Sequence, residues 1–378
     1  MINTHSKPLR LAIVGLGRVA LKHIKAVKHL GDTYEIIALI DTSENRFHEL
    51  NRELELNLKP NNYFTSLNAM YSAGMKPDVV AIATPSGTHY SLAMLALEHG
   101  SHLMVEKPLT LDLLEAEELV NTATSKNLKI AVGHIYRFFP IVNKLRAEIA
   151  DGKWGEVYAA DVKVRWGHDQ AYYDQADWRG SWAQDGGALM NQTVHALDLM
   201  TWLLSSKPVQ IQGNIKQISH KMEAEDYGAA ILTMEEGYIC QIEGTTNTPQ
   251  DYQSASFYIS TEKGEIVAGL KNKKPYLEIV DRSGKKLGSK YIRSFIGGLF
   301  RDGVRQSINE FTNPHSGIFK DLATAIHEDR EPRANGLDGL LSVEYILAIY
   351  KSAKEGGKAV ELPLDRNFSL QDMVGFFD

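Results

Sequence analysis

The sequence is poor in cysteine, in excess basic charge and in long apolar runs. Its 378 residues include one cysteine, Cys240, which excludes an intrachain disulfide and disfavours a cysteine-based zinc site. The formal net charge of −6 lacks the basic excess of a duplex-binding surface, so we expect no nucleic-acid partner. No apolar run reaches the roughly 20 residues that span a bilayer, and residues 1–10 do not fit a signal peptide. We therefore expect a cytoplasmic protein with no membrane partner.

The remaining composition is that of an ordinary globular protein. Hydrophobic residues make up 43% and charged residues 23% of the chain, which argues against wholesale disorder. At about 150 residues per domain, the length predicts two or three domains. The chain is long enough to bury more than one core without disulfides or a metal.

The first third of the chain alternates strand-like and helical patterns. Because the strand-like runs are apolar throughout, we expect a parallel, doubly wound sheet with helices on both faces. This pattern predicts a first α/β domain over residues 1–134. The predicted strands are residues 11–15, 35–41, 78–84, 102–106 and 128–133.

From about residue 150 the pattern changes to strands joined by short turns. This favours an α+β domain over 135–378, built on a large, open and mostly antiparallel sheet. One long helix is predicted at 187–204 and two more at 316–328 and 337–354, of which the last could pack back on the first domain. The role of residues 269–305 and of the tail after Pro363 stays open. The predicted strands are 155–166, 209–219, 227–234, 238–245, 255–261 and 276–281.

The first predicted strand runs into the motif G-x-G-x-x-A, formed by Gly15, Gly17 and Ala20. The first glycine allows a tight turn, the second lets the backbone approach a pyrophosphate, and the small third residue lets the helix pack on the strand. The phosphates would lie at the helix N-terminus, where Arg18 and Val19 follow and where anions are favoured. This motif predicts a dinucleotide cofactor.

The choice of dinucleotide depends on the end of the second predicted strand. Asp41 lies there, 21 residues after Ala20, where a carboxylate can accept hydrogen bonds from the adenosine ribose. Because this carboxylate would repel a 2′-phosphate, NAD is favoured over NADP. Arg46 is close in sequence, and its positive charge could weaken the preference for NAD, so NADP stays an alternative.

Two further motifs end the third and fourth predicted strands, A-T-P-S-G-T-H at 83–89 and E-K-P at 106–108. In doubly wound sheets ligands bind at the carboxyl ends of the strands. With the glycine motif and the antiparallel second half, these residues closely resemble the glucose-fructose oxidoreductase, inositol dehydrogenase and rhizopine catabolism (Gfo/Idh/MocA) family. The resemblance covers essentially the whole chain.

The family resemblance implies a Rossmann domain, an oxidoreductase activity and a set of cofactor contacts. It also implies that Lys107 and His195 are the catalytic pair, in a homodimer or homotetramer. The cofactor-binding residues that it implies, beyond the glycine motif and Asp41, are Thr84, Pro85, His89, Glu106, Lys107, Trp178 and Arg179; for Trp178 and Arg179, a role in substrate binding stays an alternative.

A narrower resemblance lies in residues 172–182 and 186–198, which look like the UDP-N-acetyl-2-amino-2-deoxyglucuronate 3-dehydrogenase branch of the family. That branch implies oxidation at C3 of a UDP-linked amino-sugar uronate for surface-polysaccharide synthesis. Arginine suits the anionic groups of such a substrate, because it contacts carboxylates and phosphates with two hydrogen bonds. The expected substrate-binding residues are Lys107, Arg165, Tyr172, Asn191, Gln192 and His195.

The spacing of Asn191, His195 and Asp198 puts three polar residues on one face of the predicted long helix. Many relatives carry aspartate where this chain has Asn191. An amide can orient a hydroxyl but cannot act as a base, so the base role falls to His195, whose usual pKa suits neutral pH. Lys107 would hydrogen-bond the reacting oxygen, although the two roles could be exchanged.

The other histidines show no metal-ligand spacing, so we expect no metal. Other functions remain open at this stage: a dehydrogenase or reductase for another sugar or inositol, an NAD-dependent glycosidase, and a non-catalytic dinucleotide-sensing regulator. The glycosidase should release sugar without net NADH. The presence of both Lys107 and His195 argues against the regulator.

Overall fold

The computed structural model describes residues 7–272, 274–291 and 313–378, and it divides into two compact units. The first unit contains the described residues up to Thr110, then Leu114–Phe138, and a later segment that ends at Leu340. The second unit contains Leu111–Leu113, the described residues from Phe139 to 291, and Leu341–Asp378.

The first unit is built on a six-stranded parallel sheet. Its strands are β1 (Leu9–Val14), β2 (Tyr34–Ile40), β3 (Tyr63–Phe64), β4 (Val79–Ile82), β5 (His102–Val105) and β6 (Ile130–Val132). Their order is β3-β2-β1-β4-β5-β6, so the sheet is doubly wound as predicted. The one strand that the sequence did not predict is β3, which has only two residues and therefore no readable pattern.

Helices connect these strands, and all four residues of β4 are buried, as expected for a strand covered on both faces. The helices are α1 (Arg18–His29), α2 (Glu44–Glu53), α3 (Leu67–Ser72), α4 (His89–Glu98) and α5 (Leu113–Ser125). The apolar residues of β1 and α1 form one core with those of a helix from near the C-terminus of the chain.

The second unit contains a large, mostly antiparallel sheet of eight strands. They are β7 (Val157–Trp166), β8 (Pro208–Lys216), β9 (Tyr227–Met234), β10 (Ile239–Thr245), β11 (Gln253–Thr261), β12 (Gly264–Lys271), β13 (Lys274–Asp281) and β14 (Val360–Glu361). The order is β13-β12-β11-β7-β10-β9-β8-β14, in which only β10 and β7 pair in parallel among the described strands. The sequence did not predict β12 and β14.

The two faces of this sheet differ in burial. Along β9, Leu232 is fully buried whereas its neighbour Ile231 is 48% exposed, so the side chains alternate between a core and an outer face. Ile239 also lies exposed in the outer-facing row of β10. The predicted homo-oligomer stays a prediction.

The remaining helices are α6 (Pro140–Ala150), α7 (Gln170–Tyr173), α8 (Val194–Leu204), α9 (His315–Glu328) and α10 (Gly336–Lys354). Helix α9 belongs to the first unit, where Phe319 is fully buried and its carbonyl oxygen accepts a hydrogen bond from the Tyr34 hydroxyl at 2.7 Å. The sequence pattern predicted this helix as part of the second domain, and it named the last helix, α10, as the one that could pack back on the first domain. In the structure, most of α10 falls in the second unit.

The tail after Pro363 packs into the second unit. Phe368, Leu370 and Met373 are buried, and the Arg366 guanidinium forms an ion pair with the buried Glu344 carboxylate at 2.6 Å. Of the segment 269–305, residues up to 291 form the end of β12, all of β13, the turn that follows and helical residues from 288, apart from residue 273, while 292–305 lie outside the described residues. Within the described residues, no helix is long and apolar enough to cross a membrane.

Candidate active site

The turn between β1 and α1 has the geometry that a pyrophosphate site requires. Gly15 has a φ of +85°, and a Cβ atom there would lie 2.7 Å from the Ala83 carbonyl oxygen, so the position accepts only glycine. At Gly17 no described atom would lie within 4 Å of a Cβ, which leaves open space in front of α1. No side chain of the described residues caps this helix, so its first N–H groups and its dipole are directed at that space. These features fit a bound dinucleotide.

Asp41 follows β2 and lies against the same turn. Its carboxylate accepts hydrogen bonds from the backbone N–H of Leu16 at 2.7 Å and of Ser43 at 2.8 Å. The guanidinium of Arg46 donates to the Leu16 carbonyl oxygen at 3.0 and 3.1 Å and also pairs with Glu49. The carboxylate predicted to favour NAD is therefore held beside the glycine turn, and Arg46 is anchored on the same loop.

The segment 84–89 connects β4 to α4. The ring nitrogens of His89 lie 2.8 Å from the Pro108 carbonyl oxygen and 3.1 Å from that of Thr84. His89 is 1% exposed, and burial lowers its pKa. His89 therefore links the loops that end β4 and β5, with Pro85 following Thr84 in sequence. Direct contact of these residues with the cofactor stays a prediction.

Glu106 and Lys107 follow β5, and the peptide bond between Lys107 and Pro108 is cis. Glu106 Oε1 lies 2.7 Å from Nε2 of His23 in α1 and 3.3 Å from Nε2 of His315 in α9. Burial by itself would raise the pKa of Glu106, but the hydrogen bonds from the two histidines lower it well below its usual range. A buried carboxylate thus ties the loop of Lys107 to two helices of the same unit.

His23, Glu106 and His315 also form the group of described residues whose donor atoms, all within 4.8 Å, could hold a metal ion. Sequence spacing did not reveal this group because its members come from three distant segments. The Nδ1 atom of His23 is buried with no hydrogen-bond partner among the described residues, whereas a metal-bound histidine usually donates its second N–H to an acceptor. The arrangement therefore fits a hydrogen-bonded triad better than a metal site.

The second unit contains a small pocket at the end of β7. It combines aromatic rings, a glycine pair and polar side chains that the sequence placed in the narrower family resemblance. The lining residues are His168, Tyr172, Tyr173, Asp185, Gly186, Gly187, Ala188, Asn191, Gln192 and Thr246.

One side of this pocket is a stack of rings. The His168 and Tyr172 rings are parallel, with centroids 3.7 Å apart and an interplanar angle of 5°. The guanidinium of Arg179 lies 4.3 Å from the Tyr172 ring centre and 4.5 Å from that of Trp178. The Tyr172 ring therefore lies in a stack with the His168 ring and the Arg179 guanidinium beside the pocket. Trp178 and Arg179, predicted as cofactor contacts, thus adjoin the predicted substrate residue Tyr172.

The remaining lining of the pocket includes polar side chains. Asn191 Nδ2 donates a hydrogen bond to the Asp185 carboxylate, and Gln192 Nε2 donates to Asn191 Oδ1 at 3.0 Å. Gln192 Nε2 also lies 3.4 Å from His168 Nε2. Two predicted substrate residues therefore line one pocket together with Asp185, which sequence analysis missed although it directly precedes the Gly186–Gly187 pair.

A buried glutamate supports the turn that carries the two amides. Glu225 Oε1 accepts hydrogen bonds from the Leu189 N–H at 2.8 Å and from the Tyr350 hydroxyl at 2.9 Å. Burial raises the pKa of Glu225 to about 8. A Cβ at Gly187 would lie 2.0 Å from Glu225 Oε2, so the glycine permits this close approach. Sequence analysis missed Glu225, whose only signal was an acidic pair just before a strand.

The predicted helix over 187–204 differs in its first turn. Leu189–Thr193 forms a wide π-type turn, and the regular helix α8 begins at Val194. The wide turn changes the rotation about the helix axis between Asn191 and His195, so the regular α-helical spacing that was predicted for these two residues does not hold. His195 is half-buried in the first turn of α8, and Asp198 is buried. Wide turns of this kind are frequent at functional sites.

Arg165 was expected to bind an anionic group of the substrate. Its guanidinium instead makes two hydrogen bonds to the Glu243 carboxylate, at 2.9 and 3.0 Å, between neighbouring strands β7 and β10. Arg165 is not among the residues that line the pocket. The expected role in substrate binding stays a prediction, and this ion pair competes with it.

Comparison with known proteins identifies both units. The oxidoreductase family Gfo/Idh/MocA, with its NAD-binding Rossmann fold, matches residues 9–134, and the Gfo/Idh/MocA C-terminal domain matches residues 142–267. The UDP-N-acetylglucosamine 3-dehydrogenase of Acidithiobacillus ferrooxidans is 26% identical over 62% of this chain. The match covers 66% of that relative, which is less than two thirds of its length.

Two solved structures resemble the chain over nearly its whole length. The WlbA dehydrogenase from Bordetella pertussis, in complex with NADH and UDP-GlcNAcA, is 28% identical, with a TM-score of 0.82 over 96% of this chain and 100% of that chain. The WlbA dehydrogenase from Chromobacterium violaceum, with the same two ligands, is 26% identical, with a TM-score of 0.80 over 97% of this chain and 100% of that chain.

Proposed function

Because this chain belongs to the Gfo/Idh/MocA family of NAD-dependent sugar oxidoreductases, we propose that it oxidises C3 of a UDP-linked 2-acetamido sugar uronate. The observation that carries the proposal is the likeness, over 96% of this chain and at 28% identity, to a dehydrogenase solved with NADH and UDP-GlcNAcA. UDP-GlcNAcA is the uronate of UDP-N-acetylglucosamine. A role in surface-polysaccharide synthesis would follow from such a substrate.

Bound NAD supplies the acceptor for the hydride that leaves the sugar carbon. The first unit contributes the glycine turn for the pyrophosphate and Asp41 for the adenosine ribose. In our proposal Lys107 donates a hydrogen bond to the reacting oxygen and stabilises its developing negative charge. The buried Glu106 carboxylate, tied to His23, holds the loop from which Lys107 projects.

In the same proposal His195 accepts the hydroxyl proton as general base. Asn191 supports this assignment because its amide cannot take that proton. Gln192 and Tyr172 would bind the sugar, since both line the pocket of the second unit. The amide of Gln192 and the phenol hydroxyl of Tyr172 suit an acetamido sugar, which has amide and hydroxyl groups at its edges.

A panel of ligands tests the proposal by thermal unfolding in the presence of NAD. A ligand at 100 times its dissociation constant adds about 2.7 kcal/mol to stability. We expect UDP-N-acetylglucosamine uronate to raise the melting temperature more than UDP, UDP-N-acetylglucosamine or free sugars do. Stabilisation by NAD alone, with no effect of any UDP compound, would refute the nucleotide-sugar proposal and leave the family membership intact.

One observation favours a second candidate, UDP-N-acetylglucosamine itself. Arg165, the cation expected to bind the uronate carboxylate, already pairs with Glu243 through two hydrogen bonds. A curated relative is a UDP-N-acetylglucosamine 3-dehydrogenase. A larger thermal shift with UDP-N-acetylglucosamine than with its uronate would favour this candidate.

A further inference from the structure

Three polar side chains in the pocket form a hydrogen-bond chain whose direction is set at one end. Asp185 is 2% exposed, and its carboxylate oxygens can only accept hydrogen bonds. Oδ2 accepts from the Gly180 backbone N–H at 2.9 Å, and Oδ1 accepts from Asn191 Nδ2. The Asn191 amide is therefore fixed with its nitrogen toward Asp185.

The orientation of Asn191 in turn fixes the next amide. With its nitrogen toward Asp185, Asn191 turns Oδ1 toward Gln192, and Gln192 Nε2 donates to it at 3.0 Å. The second contact of the Gln192 side chain, with His168, also uses Nε2. Among the residues that the structure describes, none hydrogen-bonds to Gln192 Oε1. The hydrogen-bond chain thus ends in an oxygen of a pocket-lining residue.

We propose that Asp185 is a positioning residue that makes the pocket present a hydrogen-bond acceptor, Gln192 Oε1, to an N–H or O–H donor of the substrate. This inference rests on the proposed function for the identity of the donor, which is the acetamido N–H or a hydroxyl of the sugar. It also explains why a carboxylate and not an amide stands at position 185. An amide there would satisfy Gly180 equally well, but its nitrogen would then donate to Asn191.

Replacing Asp185 by asparagine should reverse the whole hydrogen-bond chain without breaking it. The oxygen of the new amide would accept from Gly180, and its nitrogen would donate to Asn191, which flips. Gln192 then flips as well and presents Nε2 to the pocket. In Asp185→Asn we therefore expect the KM for the sugar nucleotide to rise about tenfold, because an acceptor has become a donor.

Gln192→Glu provides the opposite perturbation. In the wild-type background, the new carboxylate would face the oxygen of Asn191, so both the melting temperature and the affinity should fall. In the Asp185→Asn background, Asn191 presents its nitrogen to position 192. The new carboxylate at position 192 can then accept a hydrogen bond from Asn191 with one oxygen and present the other oxygen to the pocket as an acceptor. The double variant should therefore have a melting temperature no lower than that of Asp185→Asn alone, and a KM within about threefold of wild type.

The four proteins are compared by thermal unfolding without ligand and by steady-state kinetics with NAD. Losses that simply add in the double variant, in melting temperature or in KM, would overturn the inference. The unfolding measurements decide the polarity of the hydrogen-bond chain even if the wild type does not oxidise UDP-N-acetylglucosamine uronate, so the two proposals fail separately. UDP-glucuronate, which has a hydroxyl at C2 in place of the acetamido group, identifies the donor. If Asp185→Asn raises the KM for UDP-glucuronate as much as it raises the KM for the acetamido substrate, the donor is a hydroxyl. If it raises the KM for UDP-glucuronate less, the donor is the acetamido N–H.

Discussion

At the scale of single residues, two buried acidic side chains of the second unit support one pocket in different ways. Asp185 accepts hydrogen bonds from the Gly180 backbone N–H and from Asn191 Nδ2, and so holds the amide of Asn191 in place. Glu225 is fully buried, and its raised pKa of about 8 means that it carries a proton at neutral pH. The role of Glu225 was not predicted from sequence, because its partners Leu189 and Tyr350 are far away in the chain. The glycine turn was predictable because its constraints are local.

Glu225→Gln should flatten the dependence of stability on pH. Between its ordinary pKa of 4.5 and its raised value of about 8, the unfolded chain releases the Glu225 proton while the folded protein keeps it. The free energy of unfolding of the wild type therefore falls as pH rises through this window. Chemical denaturation at pH 5, 6.5 and 8 should show that the free energy of unfolding of the variant increases relative to that of the wild type as pH rises. Glu355→Gln, at an exposed glutamate, is the control and should follow the wild type.

His195→Asn tests the proposed base. A general base contributes about 10²–10⁴-fold to turnover, so the variant should lose activity by that factor while binding NAD as before. Turnover is followed by NADH absorbance, and NAD affinity by calorimetry. His327→Asn, at an exposed histidine of α9, should keep full activity. Unchanged turnover in His195→Asn would assign the base elsewhere, with Lys107 as the first alternative.

At the scale of elements, the regular parts of the fold could be predicted and the irregular ones could not. Apolar runs gave the parallel strands, and alternation gave most of the antiparallel sheet, because strand burial leaves its period in the sequence. The π-type turn at Leu189–Thr193 has no such period, and β3 and β14 have two residues each. The C-terminal tail gave no signal because its buried residues follow a short, irregular path.

The tail should nevertheless contribute to stability. Leu370 is 3% exposed, and its truncation to alanine should lower the free energy of unfolding by about 2–4 kcal/mol through lost burial and a residual cavity. Val374, which is 50% exposed and four residues on, is the matched control, and its truncation should cost less than about 0.5 kcal/mol. Equal effects of the two substitutions in urea denaturation would contradict the packing described for the tail.

At the scale of the whole molecule, sequence recovered the two-part architecture but not the full path of the chain. The helix α9 joins the core of the first unit through Ile318, Phe319 and Leu322. Its amphipathic pattern shows that it has a buried face, but not which core buries that face. The same limit applies to Arg165, whose partner Glu243 is 78 residues away.

The preference of the protein for NAD over NADP can be measured from the increase in melting temperature that each cofactor causes. Asp41 holds a carboxylate beside the glycine turn, and this negative charge disfavours a 2′-phosphate. At equal concentrations, NAD should therefore raise the melting temperature more than NADP does. Asp41→Asn should narrow that difference. An equal or larger shift with NADP in the wild type would mean that Arg46 outweighs Asp41.

The most direct test of the proposed function is NADH formation from UDP-N-acetylglucosamine uronate, with the product analysed by mass spectrometry. We predict absorbance at 340 nm that depends on this substrate, with a product two hydrogens lighter and oxidised at C3. An equal or faster reaction with free sugars or inositols, or no reaction with any UDP-linked sugar, would contradict the account.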